Sequence, residues 1–230
     1  MSESIHKNLD RAIWSALTSR QVALGQGDRL ARRYIPDVAP FAAVAEESED
    51  AYRALKNLLQ PGEQAAMTTL EPIGEYDGLA VTRVGILHQM ISVRPETSVH
   101  DLSGVVRLNR ADAQDMLDLT RKTKPGPFEK RTHEMGKYIG VRDGARLIAM
   151  AGERMHLDGY VEISAVCVDD DWRGKGLAGR LMNILRRDIE QRGETPFLHV
   201  YAHNAGAIGL YERLGFELRR EFHLARVALA

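Results

Sequence analysis

The residues Arg173-Gly174-Lys175-Gly176-Leu177-Ala178-Gly179-Arg180 interleave three glycines with three basic side chains. Glycine has no Cβ, so its backbone N–H groups can come close to a ligand. Residues 161–168, just before, are apolar and β-branched, as in a buried strand. Just after, Ala178, Leu181, Met182, Leu185 and Ile189 recur at helical spacing. The turn therefore leads into a helix N-terminus, which offers unpaired N–H donors and the positive end of the dipole. With cations beside it, this arrangement suits a phosphate.

Two phosphate ligands fail on the surrounding residues. Gly174-Lys175-Gly176-Leu177-Ala178-Gly179 matches the dinucleotide fingerprint G-x-G-x-x-G, a weak signal by itself. That site also needs an acidic residue after the next strand to hold a ribose. Here residues 197–201 lead into Ala202-His203-Asn204, with no acid. A nucleotide P-loop needs Gly-Lys-Ser or Gly-Lys-Thr, and neither closes the turn.

A third reading uses all of these residues. Arg173-x-x-Gly176-x-Ala178 resembles the Arg/Gln-x-x-Gly-x-Gly/Ala signature of the GNAT superfamily of acyl-coenzyme A-dependent N-acyltransferases. Asn204, followed by Tyr211 within Ile208-Gly209-Leu210-Tyr211-Glu212-Arg213-Leu214-Gly215-Phe216, is similar to that family's second cofactor motif. The order of elements over 102–230 is similar to the GNAT fold, so the likeness covers the second half. The first half resembles the small extra domain of the glycine N-acyltransferase-like branch, though no residue motif carries that likeness.

The resemblance implies acetyl-coenzyme A as acyl donor and a primary amine as acceptor, an amino acid, a small amine or a protein amine, by direct attack in a ternary complex. It places the pyrophosphate on backbone N–H groups of Arg173, Gly174, Lys175, Gly176, Leu177, Ala178 and Gly179. It implies that the fourth strand of that fold splays from the fifth, so that pantetheine pairs with backbone atoms of Val166 and Val168. A backbone N–H at Val166 or Cys167 would then polarise the thioester carbonyl. Tyr211 falls at the general acid that protonates the leaving thiol. Asn204 either bonds pantetheine or caps the helix after it.

Glu162 is the expected base. It shares alternation parity with Val166 and Val168 on one strand, and its strand is similar to the one bearing the base glutamate in the histone acetyltransferase branch. His133 and Glu134 are weaker alternatives near the acceptor side. The basic residues 121–124 read as a solvated loop or as a contact for the 3′-phosphate or an acidic acceptor. Cys167, the single cysteine, excludes an intramolecular disulfide and reads as a buried, inert thiol.

Composition agrees with a globular enzyme. The chain has 230 residues, 44% hydrophobic and 27% charged, with a formal net charge of -1. That balance gives no whole-molecule field favouring nucleic acid or an anionic membrane. CxxC and HExxH are absent, so no metal is signalled. No signal peptide or membrane-spanning run of ~20 apolar residues is seen, so the expectation is a cytoplasmic protein, with a homodimer open.

The expected fold class is α/β of the α+β kind: a GNAT fold with a mixed, mostly antiparallel sheet and flanking helices. Residues 99–230 form the N-acetyltransferase domain, and 1–98 a smaller N-terminal α/β region of unassigned role, with a boundary near Arg94-Pro95-Glu96-Thr97-Ser98. In the first half, helices are expected over 9–17 and 50–59 and strands over 64–70 and 79–93. In the second, a strand over 104–108, helices over 109–121 and 128–135, and a meander over 137–142, 145–154 and 160–168 lead into the glycine turn. Asp143-Gly144 and Asp158-Gly159 mark its hairpins. A helix ending near Gly193, a strand over 196–201, a helix over 205–214 and two final strands over 216–230 complete the chain. The alternative from another class is a GNAT-fold protein that binds acetyl-coenzyme A as a sensor, without turnover.

Overall fold

The computed structural model describes residues 6–96 and 102–230. In chain order the first half contains α1 (Lys7–Asp10), α2 (Ala12–Thr18), β1 (Gly25–Gly27), β2 (Ala31–Tyr34), β3 (Ala42–Val44), α3 (Glu49–Leu58), β4 (Gln64–Thr69) and β5 (Leu79–Ser92). The second contains β6 (Val105–Leu108), α4 (Ala113–Thr123), β7 (Tyr138–Asp143), β8 (Arg146–Leu157), β9 (Tyr160–Val168), α5 (Leu177–Gln191), β10 (Thr195–Tyr201), α6 (Ala205–Arg213) and β11 (Phe216–Leu229).

Eight strands form one mixed, mostly antiparallel sheet in the order β4-β11-β5-β10-β9-β8-β7-β6. The meander β7-β8-β9 turns at Gly144 and Gly159, whose φ of 56° and 82° suit glycine. Residues 216–230 were expected as two strands and form one. Phe216–Leu229 contains no Gly, Pro, Asn or Asp that could start a hairpin, so the chain runs straight on. Its antiparallel neighbour is β5, from the first half, paired from Phe216↔Ser92 to Leu229↔Leu79.

The expected boundary at residue 98 lies outside the described residues. On either side of it, strands join the same sheet, since β5 sits between β11 and β10. The rest of the first half covers one sheet face. Leu9, Ile13, Tyr34 and Phe41 share a buried cluster with Ile91, Leu157 and Phe197. The other face carries α5, whose Leu181, Leu185 and Ile189 are buried with Met90, Val161, Ile163 and Leu198. Burying each such side chain stabilises by about 1.5–3 kcal/mol.

Local signals explain most helix ends. Ser48 accepts from the Ala51 N–H at 3.4 Å and starts α3. Asn109 accepts from the Ala111 N–H and opens a 3-10 turn (Arg110–Asp112) that runs into α4. The helix expected over 9–17 is broken at Arg11, and the one expected over 128–135 reduces to the 3-10 turn Thr132–Met135.

Candidate active site

Parallel pairing between β9 and β10 covers three pairs, Thr195↔Tyr160, Pro196↔Val161 and Phe197↔Glu162, and then stops. Past that fork the facing edges of the two strands are open to a ligand. A bulge in β9 sharpens the fork. From Gly152↔Ser164 to Met150↔Cys167, β9 advances one residue more than β8, and Ala165 between them has φ 52°. Asp169 N–H donates to Ile148 O at 2.8 Å, and Cys167 pairs with Met150. By antiparallel alternation the backbone of Val168, and of Val166 before it, points away from β8 toward the fork. Cys167 points its N–H to β8, so of the two expected donors it is Val166 that turns its N–H toward the fork.

The same bulge corrects the reading of Glu162. Val161, Ile163, Val166 and Val168 all pack on the α5 face, while Ala165 and Cys167 pack with Met116 and Leu119 of α4. Alternation parity changes across Ala165, so Glu162 faces opposite to Val166 and Val168. Its carboxylate is 0% exposed. Arg154 donates to both oxygens, Nε at 2.7 Å and Nη2 at 2.6 Å, and His199 Nδ1 lies 2.8 Å away. Burial alone would raise its pKa. The Arg154 guanidinium, then His199, overcome that and hold it to about 2. A sealed, doubly bonded carboxylate held that low is poorly suited to take a proton from an amine.

His199 is fixed in turn. Gln89 Nε2 donates to Leu9 O at 2.8 Å and lies 3.1 Å from His199 Nε2, while its oxygen accepts from Arg219 at 2.8 Å. These bonds put the His199 proton on Nδ1, toward Glu162, and turn the Nε2 lone pair to Gln89. Arg219 then reaches Asp10 at 2.6 Å. A polar seam thus crosses β8, β9, β10, β5 and β11 to the first helix. Sequence reading missed it. The available signal was a row of long polar residues, Gln89, Arg154, His199 and Arg219, inside strands otherwise rich in apolar side chains.

The glycine turn is held from below by Asp169. This residue is 2% exposed and accepts from Lys122 Nζ at 2.9 Å and from Arg146. The Lys122 bond, helped by Arg146, holds its pKa down to about 2. Residues 121–123, expected as a basic loop, form the last turn of α4, and Lys122 is committed to this anchor. Gly174 and Gly176 have φ of 77° and 76°, which curls the backbone so that successive N–H groups converge. A Cβ at either would stand in open space in front of the turn. Arg173 N–H already donates to Asp170 O at 3.3 Å, so the free donors begin at Gly174 rather than Arg173. The first backbone bond of α5 runs from Arg180 N–H to Gly176 O, which leaves the N–H groups of Leu177, Ala178 and Gly179 at the helix end. Lys175 Nζ lies 4.0 Å over the Trp172 ring.

If the turn holds the pyrophosphate of acetyl-coenzyme A, as the resemblance implies, replacing Gly176 with valine raises the KM for that donor at least about tenfold. The added side chain enters the space before the turn, and φ near +76° strains any L-residue. An unchanged KM in initial-rate assays would take the turn out of donor binding.

α6 lies beside the start of α5, where Leu210 and Leu214 come within 3.8 Å of a Cβ placed on Gly179. Asn204 caps α6, its side chain accepting from the Ala207 N–H at 3.2 Å. Tyr211 packs, partly exposed, against the cluster that also takes Val166, Val168 and Leu177. Burial raises its pKa, so the phenol stays protonated at neutral pH. Glu134 is paired with Arg131 at 2.7 Å, and His133 Nδ1 is buried with no hydrogen-bond partner among the described residues. Among the described residues, no His, Cys, Asp and Glu cluster is placed to hold a metal and no helix is long and apolar enough to cross a membrane.

A family model described as FR47-like protein matches residues 138–225. The ribosomal protein bS18-alanine N-acetyltransferase of Escherichia coli is 42% identical over 131 residues, 53% of this chain and 88% of that protein. A mycothiol acetyltransferase of Corynebacterium aurimucosum is 39% identical over 63 residues, which cover 27% of this chain and 21% of that protein. A solved structure described as a GNAT-family acetyltransferase of Novosphingobium aromaticivorans superposes with a TM-score of 0.90 at 39% identity, over 96% of this chain and 98% of that one. The chain belongs to the GNAT superfamily of acetyltransferases. The full-length likeness to the last of these includes the first half, whose β5 completes the sheet.

Proposed function

We propose that the chain transfers acetyl from acetyl-coenzyme A to a primary amine by direct attack in a ternary complex. The observation that carries this reading is the fork. The edges of β9 and β10 part after three pairs, the glycine turn with free N–H donors follows β9 in the chain, and the protonated phenol of Tyr211 packs on the cluster that also takes Val166 and Val168. Backbone groups of Val166 and Val168 hold the pantetheine arm, and the N–H groups from Gly174 to Gly179 hold the pyrophosphate. The Val166 N–H stabilises the oxyanion as the amine adds to the thioester carbon. As the C–S bond breaks, Tyr211 gives its proton to the sulfur, the nitrogen sheds one proton to solvent, and the phenolate takes a proton back from solvent. The amine enters as its neutral fraction, so kcat/KM rises with pH along the acceptor's own titration.

Cys167 supports transfer without an acyl-enzyme. Its thiol is pushed up to about 11 by burial and faces α4 rather than the donor edge. Incubation with acetyl-coenzyme A and no amine is expected to leave the intact mass unchanged; an acetylated protein would require a covalent intermediate. The relatives named for alanine N-acetylation favour an α-amine at a peptide N-terminus as acceptor. Thiol release from acetyl-coenzyme A in the presence of N-terminally alanyl peptides and simple amines tests the reading. Tight donor binding with no release for any acceptor would make the chain a sensor instead.

A further inference from the structure

β5 runs on past the end of β10. Leu87 pairs with Tyr201, the last residue of β10, and Ala202 N–H donates to Ile86 O at 3.0 Å. There a groove of about 180 Å³ opens, with Ile73, Gly85, Ile86 and Leu224 among its apolar walls. A Cβ on Gly85 would come within 3.8 Å of the Tyr201 ring, so the groove borders the end of the strand that forms the fork. Its ionisable side chains are Arg83 and His223. Neither side chain has a hydrogen-bond or ion-pair partner among the described residues. An unpaired guanidinium on an apolar wall complements a carboxylate attached to an apolar arm.

Resting on the reading of the chain as an N-acetyltransferase, we propose that this groove binds a carboxylate of the acceptor, three to four residue lengths from the reacting amine. The spacing follows from the sheet. The groove lies one strand over from the fork, at strand spacings of about 4.8 Å. Gly85 also lies two residues beyond Leu87 along β5, so an acceptor must span roughly 10–12 Å, and an extended peptide covers about 3.3 Å per residue. A free α-amino acid is too short. The carboxylate comes either from the C-terminus of a short peptide or from an acidic side chain near the N-terminus of a longer chain.

Peptide acceptors separate these sources. Ala-Leu-Leu with a free carboxylate, its C-terminal amide, and a pentapeptide amide with glutamate third are compared by thiol release. The free acid, the glutamyl peptide or both are expected to exceed the plain amide about tenfold in kcat/KM. Arg83→Gln brings the preferred peptide down to the level of the amide. Equal rates for all three, or an equal loss for all three in R83Q, would overturn the groove assignment. Calorimetry with the N-acetylated product peptides reads the groove without turnover. Preferential binding of the acid that vanishes in R83Q upholds the groove even if no peptide is acetylated, in which case the transferase reading is what fails. Product acid and amide binding alike would sink the groove while leaving transferase activity untouched.

Discussion

Glu162→Gln is expected to lower stability by about 3–5 kcal/mol, because it strands the buried Arg154 guanidinium without its counter-charge. For a chain of this length, each kcal/mol moves Tm by roughly 2–4 °C, so the midpoint should fall by about 6–20 °C. Replacing both partners with apolar residues, Glu162→Met with Arg154→Met, should recover much of the loss, since the desolvation of both charges is then relieved. The pH dependence has a defined sign. The folded pKa of Glu162 lies below its ordinary 4.5, at about 2. The pair therefore stabilises fully above pH 4.5, and its contribution fades as pH falls from there toward 2. E162Q should flatten that part of the stability profile. Acetyl transfer by the folded fraction should keep the wild-type pH profile. A variant with unchanged Tm but a shifted kcat/KM inflection would restore Glu162 as a base.

Tyr211→Phe carries the largest expected effect on catalysis. Loss of a positioned proton donor costs typically about 10²–10⁴ in rate, so kcat should fall within that range. The KM for acetyl-coenzyme A should hardly move, because the proposed donor contacts are made by the turn and the backbone of β9. Stability should stay near wild type, since the hydroxyl has no partner among the described residues and the ring, 6.3 Å from Phe216, keeps its packing. A kcat unchanged across pH would remove Tyr211 from the mechanism. A fall in kcat with an equal fall in Tm would mark it as a packing residue instead.

Much of the donor site is readable along the chain because it is local. Strand, turn and helix N-terminus are consecutive, and positive φ at Gly174 and Gly176 needs residues of that type at those positions. Asn204 and the helix it caps are local for the same reason. Hairpin turns at Gly144 and Gly159 likewise announce the meander. The facing of Glu162 is not legible along the chain because a parity argument assumes an unbroken strand. Ala165 carries no sequence mark of a bulge, yet one extra residue there moves Glu162 to the opposite face.

The sheet order shows the same limit at larger scale. That residues 79–92 form a strand, and that 216–229 are extended, follows from their composition. That the first of them lies between β10 and β11 does not, because strand neighbours are set by which apolar faces can be buried together. The polar seam from Arg154 to Asp10 also exists only in three dimensions, its members drawn from β8, β9, β10, β5, β11 and α1. By itself, then, the sequence determined the glycine turn, its strand and helix, and the kinship they signal. Tertiary structure alone decided which edge of β9 is open, what Glu162 faces, and that the first half completes the sheet. The first group depends on short-range backbone geometry, and the second on pairing between segments far apart in the chain.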